Sequence, residues 1–222
     1  MQQTPLHDQH NPDLLKLIPN TSKKVIEIGC SSGALAREFK KSNENVHWLG
    51  VEIDSNYAEL AKRYCNDTLV HNIDDCSQEF YDQQSNRDCW VFGDTLEHLK
   101  DPWAVIKNIR RVIPVNGSIV ACIPNAQHWS LITKLSVGDF RYQDSGLLDR
   151  THIRWFTRQT IIELFESQSL KIVEGIPRVF NEPMRNKFLP FIGEIAKQCG
   201  VDPELAINDS IPLQYVVRAI PT

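Results

Sequence analysis

The chain has 222 residues, a formal net charge of −4, 41% hydrophobic residues and 23% charged residues. That length suits one large domain, and the apolar fraction can fill a core, which excludes global disorder. Ten Gly and twelve Pro without a period exclude collagen-like sequence, no uncharged apolar run approaches the roughly 20 residues of a membrane span, and mild acidity argues against nucleic acid as the main partner.

The first residues lack a basic region followed by an apolar one, so no secretory signal is expected, and the segment carrying His7 and His10 reads as a mobile leader. Short β-rich runs follow at 24–28, 46–51, 68–71, 89–92 and 118–123. Helical stretches lie between them at 34–41, 56–65 and 102–112. Asp101-Pro102 is a start signal for the last of these, with Asp as cap and Pro at the first helical position. Thr157 precedes a further helical pattern at 158–168. Two more β-like runs occupy 170–173 and 214–220, with a helical piece near 188–198 between them. Alternating strand and helix implies a mostly parallel sheet covered on both faces, a Rossmann-like α/β fold in one domain over 1–222. Ligands in such sheets bind beyond the carboxyl ends of the strands. The irregular stretches 124–154 and 176–212 are expected to cover an acceptor there.

Six cysteines at 30, 65, 76, 89, 122 and 199 contain no C-x-x-C pair, and several lie in apolar runs. They read as reduced, mostly buried thiols of a cytoplasmic protein.

The stretch Glu27-Ile-Gly29-Cys-Ser31-Ser-Gly33 leaves the first strand and opens a helix. Gly29 and Gly33 permit a tight turn and a close approach of backbone to a ligand. Glu52 ends the second strand, where a carboxylate can accept hydrogen bonds from both hydroxyls of a ribose. The turn lacks the second glycine of a dinucleotide fingerprint, which disfavours a nicotinamide dehydrogenase.

The same turn matches E-x-G-x-G-x-G at Glu27, Gly29 and Gly33, with Ser31 in place of the middle glycine, and so resembles the class I S-adenosylmethionine-dependent methyltransferases. Gly93-Asp94-Thr-Leu96-Glu97-His98-Leu-Lys-Asp101-Pro102-Trp103, Pro114-Val-Asn-Gly117 and Gly146-Leu-Leu-Asp149-Arg150-Thr151-His152-Ile-Arg154 extend the likeness over roughly residues 22–175. The last stretch is similar to a bacterial subgroup associated with glycosyltransferases and polysaccharide biosynthesis. The resemblance implies a seven-stranded sheet whose last two strands form an antiparallel edge, with S-adenosyl-L-methionine as cofactor and S-adenosyl-L-homocysteine as product. It assigns Glu52 to the ribose, Ile53 to the adenine face, Asn72 or Asp74 to the adenine amino group, and Glu27, Gly29, Gly93 and Asp94 to the methionine end.

Transfer of a sulfonium methyl group to a hydroxyl needs an in-line arrangement and removal of a proton. His152, with Asp149 to orient it, and His128 are the foremost candidates for the base, because both lie in the insertion. His98 ranks below them, and His47 and His71 read as packing or surface residues. Arg150 and Arg154 are candidates to grip an acidic acceptor, and Trp129 and Tyr142, with Trp155, to stack on its ring, although an internal aromatic core serves as well. Asp139, Asp144 and Asp149 are spaced by five, which fits no calcium loop, so no metal is expected. The expected activity is O-methylation of a sugar or glycan-precursor acceptor, the alternatives being another small molecule such as a quinone precursor, or a non-catalytic scaffold that only binds the cofactor. Assembly as a homodimer is allowed.

Overall fold

The computed structural model of the protein describes residues 8–222, so His7 lies outside the described residues. The elements run α1 (Pro12–Leu17), β1 (Lys24–Ile28), α2 (Ala34–Lys40), β2 (His47–Glu52), α3 (Ser55–Ala61), β3 (Asp67–Val70), α4 (Gln78–Gln83), β4 (Cys89–Gly93), α5 (Pro102–Val112), β5 (Ser118–Pro124), α6 (Trp129–Ser136), α7 (Arg158–Glu166), β6 (Leu170–Arg178), α8 (Arg185–Gln198), α9 (Pro203–Ser210) and β7 (Gln214–Pro221). Single 3-10 turns sit at Ile73–Asp75 and Leu96–His98. Local chemistry sets many of these starts. Asn11, Asp101 and Asp202 each cap a helix whose first residue is proline, their side chains accepting from backbone N–H groups of the first turn. Thr157 and Thr160 form a reciprocal capping box on α7.

The seven strands form one sheet in the order β3-β2-β1-β4-β5-β7-β6. Strands β1 to β5 are mutually parallel, and β7 runs antiparallel to both β5 and β6. The expected antiparallel edge made by the last two strands is present, with β6 outermost and β7 between β6 and β5.

Alternation divides the sheet's side chains between two cores. Ile26, Trp90, Phe92 and Ala121 face one cluster with residues of α4, α5 and α7, while Val25, Val91, Val120 and Cys122 face the other with α1 and α2. Continuous burial along β1, β4 and β5 is what a sheet covered on both faces requires. The cysteines are all free, with four buried, Cys76 half-buried and Cys199 exposed.

Two expectations are corrected. The segment holding His10 is packed, not loose: Asp8 pairs with Arg37 at 2.8 Å, and α1 buries Leu14 and Leu17 against the second core. The stretch 176–212 builds a separate small core, in which Ile192, Ala196 and Ala206 of α8 and α9 pack with Trp129 and Ile132 of α6. No helix among the described residues is long and apolar enough to cross a membrane.

Candidate active site

The strand order reverses between β1 and β4, so the loops leaving their carboxyl ends diverge and open a crevice. A cavity of about 540 Å³ occupies it. Its walls include Glu27, Gly29, Ser31, Glu52, Ile53, Asn72, Asp74, Gly93, Asp94, Asp149 and His152, all singled out above. His98, Glu97 and Thr95 join them, as do Gln9, Asn11 and Leu14 from the amino-terminal segment and Leu213 and Gln214 at the start of β7.

The turn after β1 is held by its backbone. Gly29, Ser31 and Gly33 all have positive φ, at 76°, 48° and 78°. Serine therefore keeps a glycine-like conformation, and its N–H is fixed by the Glu52 carboxylate at 2.8 Å. A Cβ on Gly29 would stand 2.7 Å from Thr95 Oγ1, so the turn presses directly on the loop after β4. Gly33 caps α2 and packs on Ala61 instead of lining the cavity.

Glu52 is 4% exposed, and its carboxylate also accepts from the N–H groups of Ile53 and Asp54 at 2.8 and 3.1 Å. It thus ties the end of β2 to the turn after β1. Ile53 turns an exposed apolar side chain to the cavity. Asn72 caps the 3-10 turn by accepting from Asp74 N–H and donates to Asp75 at 2.7 Å. The Asp74 carboxylate accepts from the Lys100 N–H. Glu27 is buried and accepts from the Trp48 indole at 3.0 Å; burial holds its carboxyl well above the usual range, and the charges of Cys65 and Glu52 act the same way. Asp94, in a left-handed conformation, accepts from Cys122 Sγ at 3.5 Å and from Gln214 Nε2.

The opposite wall comes from two segments distant in sequence. The turn after β4 supplies Glu97 and His98, and residues 145–153 of the insertion supply Asp149, Thr151 and His152. They are stitched together by the N–H groups of Ile153 and Arg154, which both donate to the Glu97 carbonyl at 2.9 Å. The His98 and His152 rings meet edge to face with centroids 4.8 Å apart. His98 Nδ1 donates to the Thr151 carbonyl at 3.1 Å, and His152 Nδ1 to the Leu147 carbonyl at 3.2 Å. Asp149 accepts from the Thr151 N–H and hydroxyl at 2.8 and 2.6 Å, so it orients Thr151 and, through it, His98. Among the described residues, the Glu97 carboxylate, 1% exposed, accepts no hydrogen bond from another residue, and its Oε1 stands 3.9 and 3.8 Å from Nε2 of His98 and His152. Burial, reinforced by Asp94, holds the Glu97 carboxyl well above its usual range, and burial lowers both imidazoles.

The remaining candidates lie elsewhere. His128 is fully buried, bonded to Ser130 at 2.8 Å and Glu182 at 3.2 Å, and does not line the cavity. Trp129 donates to the same Glu182 and stacks on Phe188. Tyr142 and Trp155 each pack on Phe140, Arg150 pairs with Asp144 at 2.6 Å, and Arg154 donates to the Lys100 carbonyl. No residue of 176–212 reaches the cavity wall; of the first insertion, Pro124 and residues between 145 and 153 line it. The sequence reading passed over Glu97 although the residue lay in the motif it quoted; a carboxylate beside a histidine at a strand's carboxyl end was the available signal.

Residues 7–174 match the family model of a methyltransferase domain. An uncharacterized RNA methyltransferase of Leptospira interrogans (serovar Lai) is 25% identical over 159 residues, which is 68% of this chain and 35% of that protein. The chain thus spans about a third of that relative's length. The ubiquinone biosynthesis O-methyltransferase of Coxiella burnetii (strain RSA 331) is 22% identical over 190 residues, 83% of this chain and 80% of that one. The crystal structure of magnesium protoporphyrin IX methyltransferase from Synechocystis PCC 6803, with bound S-adenosyl-L-homocysteine, shares the fold with a TM-score of 0.60 at 10% identity, covering 95% of this chain and 80% of that one. With a glycine-cornered turn, a strand-terminal carboxylate and this match over most of its length, the chain belongs to the class I S-adenosylmethionine-dependent methyltransferases.

Proposed function

We propose that the protein transfers the methyl group of S-adenosylmethionine to a hydroxyl of a small, partly apolar acceptor. The observation that carries this reading is one cavity with two unlike ends. One end joins the turn after β1 to a buried carboxylate at the end of β2, and the other sets His98, His152 and Glu97 beside the apolar residues Leu147, Ile153 and Leu213.

The residues fit the cofactor. Glu52 is held by backbone N–H groups with its carboxylate at the cavity wall, placed for a ribose. Ile53 offers an apolar face to adenine, and Asn72 and Asp74 stand beside it on the same wall. Glu27, Gly29, Gly93 and Asp94 surround the methionine end. When bound, the cofactor supplies a methyl group activated by a positively charged sulfur. The chain's part is to hold the acceptor oxygen in line, to exclude water and to ease the loss of the hydroxyl proton. His152 and His98 face the position where that oxygen must come.

Two considerations favour a small molecule over a glycan or RNA. The aromatic and basic side chains expected to grip a sugar, Trp129, Tyr142, Arg150 and Arg154, all lie outside the cavity wall. The net charge of −4 gives no general attraction for a polyanion. The Coxiella relative, a ubiquinone biosynthesis O-methyltransferase, aligns over most of both chains and supports a hydroxylated ring as acceptor. The whole 1–222 is then one catalytic domain. Incubation with radiolabelled S-adenosylmethionine tests this against hydroxylated aromatics, nucleotide sugars and transfer RNA. Label in an aromatic ether is the expected result; label confined to sugar or RNA overturns it.

A further inference from the structure

We propose that Glu97, His98 and His152 form a binding site for a first-row divalent cation of the zinc, cobalt or iron(II) type, placed where the acceptor oxygen enters. The inference rests on the methyl-transfer reading for its role but not for its geometry.

The first observation is the orphaned carboxylate. Glu97 is 1% exposed, yet among the described residues neither of its oxygens accepts a hydrogen bond from another residue. A buried carboxylate without partners is costly, and such groups are retained where something charged meets them. The second observation is the orientation of the rings. A carbonyl oxygen only accepts, so the Nδ1 atoms bonded to the Thr151 and Leu147 carbonyls carry hydrogen. In the neutral rings, each Nε2 therefore keeps a lone pair, and both lone-pair atoms flank Glu97 Oε1 at 3.9 and 3.8 Å. Three electron-rich atoms converge on one point, at distances too long for direct hydrogen bonds. A cation between them would engage all three.

The ligand chemistry narrows the ion. Two imidazoles and one carboxylate are the donor set of many catalytic zinc and iron(II) sites, in which positions stay open for substrate. Metal-bound histidines usually donate their second N–H to a carbonyl or carboxylate, as both rings do here. The three ligand atoms lie within 4.8 Å of one another. Around a bound ion they would stand about 3.0–3.4 Å apart, given metal–ligand distances near 2.1 Å, so side-chain rotation of roughly 1 Å closes the shell. The composition disfavours magnesium, which prefers oxygen donors. All three residues also line the cavity, so the open side of the site faces the acceptor.

The ion's service there is electrostatic. It lowers the pKa of the acceptor hydroxyl, whose proton passes to solvent. The oxygen's lone pair forms the new bond to the methyl carbon, and the carbon–sulfur pair stays on sulfur. No electron is gained or lost by the metal. His152 then serves as a ligand and not as the base. The expectation of a metal-free protein arose because the ligands are 55 residues apart in sequence and no local spacing links them.

The test uses untagged full-length protein stripped with a chelator. Co²⁺ is titrated by visible absorption, Zn²⁺ and S-adenosyl-L-homocysteine by calorimetry. One Co²⁺ per chain should bind with nitrogen and oxygen ligand-field bands and no thiolate charge transfer. Glu97→Gln and His152→Ala should each weaken it by about a hundredfold or more, while S-adenosyl-L-homocysteine affinity stays within about threefold of wild type. Absence of saturable binding, binding indifferent to both variants, or a thiolate band placing the ion at Cys30 and Cys65 would each overturn the site. Homocysteine-product binding without cobalt binding removes the cation and leaves the methyl-transfer reading; cobalt binding without product binding does the reverse.

Discussion

Glu52 and Glu97 line one cavity, Glu52 as the last residue of β2 and Glu97 in the 3-10 turn that follows β4, and each is nearly inaccessible, at 4% and 1% exposure. Their surroundings are opposites. Glu52 accepts from three backbone N–H groups, two of its own loop and one from the neighbouring turn. Glu97 accepts from none and is flanked by two imidazole nitrogens. The first carboxylate is preorganised by the chain itself and can meet a neutral ribose without rearrangement. The second is left for something the chain does not supply. The proposed cofactor end is held rigidly by backbone donors, and the proposed reacting end is not.

The largest expected effect breaks the reacting end alone. His152→Ala should lower kcat by roughly 10²-fold or more and leave product affinity nearly unchanged; wild-type turnover would remove His152 from the reaction. Glu52→Ala should do the opposite. Loss of a charged hydrogen-bond acceptor costs about 1.5–3 kcal/mol, so S-adenosyl-L-homocysteine should bind about 10- to 100-fold more weakly by calorimetry. Unaltered affinity would withdraw the ribose assignment.

His128 separates structure from chemistry. Its ring is buried against Ser130 and Glu182, so His128→Ala should cost about 1–3 kcal/mol of stability, read as a lower Tm, with kcat preserved in the folded fraction. A collapse of kcat at full stability would restore it as a catalytic candidate.

A finer effect concerns Glu27. Its carboxyl is raised by burial, so the folded state holds that proton more tightly than the unfolded chain does. The stability this contributes is full below about pH 4.3, the ordinary glutamate value, and erodes as pH rises toward the higher folded value. Glu27→Gln should flatten this dependence, and its stability relative to wild type should grow with pH in denaturant titrations. A pH-independent difference would contradict the burial argument. The smallest change is Ser31→Gly. It relieves a left-handed φ of 48° but adds unfolded-state freedom, and the two offset to within about 1 kcal/mol. A larger loss would mean that the serine side chain matters.

The cofactor end was legible because its signals are local. Gly29, Gly33 and Glu52 lie within 24 residues; Gly29 and Glu52 mark the ends of apolar runs, and Gly33 opens the helix that follows the first. The five parallel strands were readable for the same reason. Short helices escaped: α4 and α6 have six and eight residues, too few for a clear period. α1 and α9 carried the Asx-Pro start signal at Asn11-Pro12 and Asp202-Pro203 that was recognised at Asp101-Pro102. The reacting end was half legible. His152 and Asp149 stood in a quoted motif, but their meeting with Glu97 depends on the Ile153 and Arg154 N–H groups docking on a carbonyl far back in the chain. The insertion offered His128 as a second choice behind His152, and packing takes it away from the cavity wall.

The position of β7 has a consequence for truncation. It comes last among the strands yet bonds to β5 on one side and β6 on the other. Deleting the stretch after Leu213 would not trim a border; it would unzip a seam, strand β6 from the rest, and bare two adhesive strand flanks. It would also strip Asp94 of its Gln214 contact, so loss of this strand would be felt at the cavity wall.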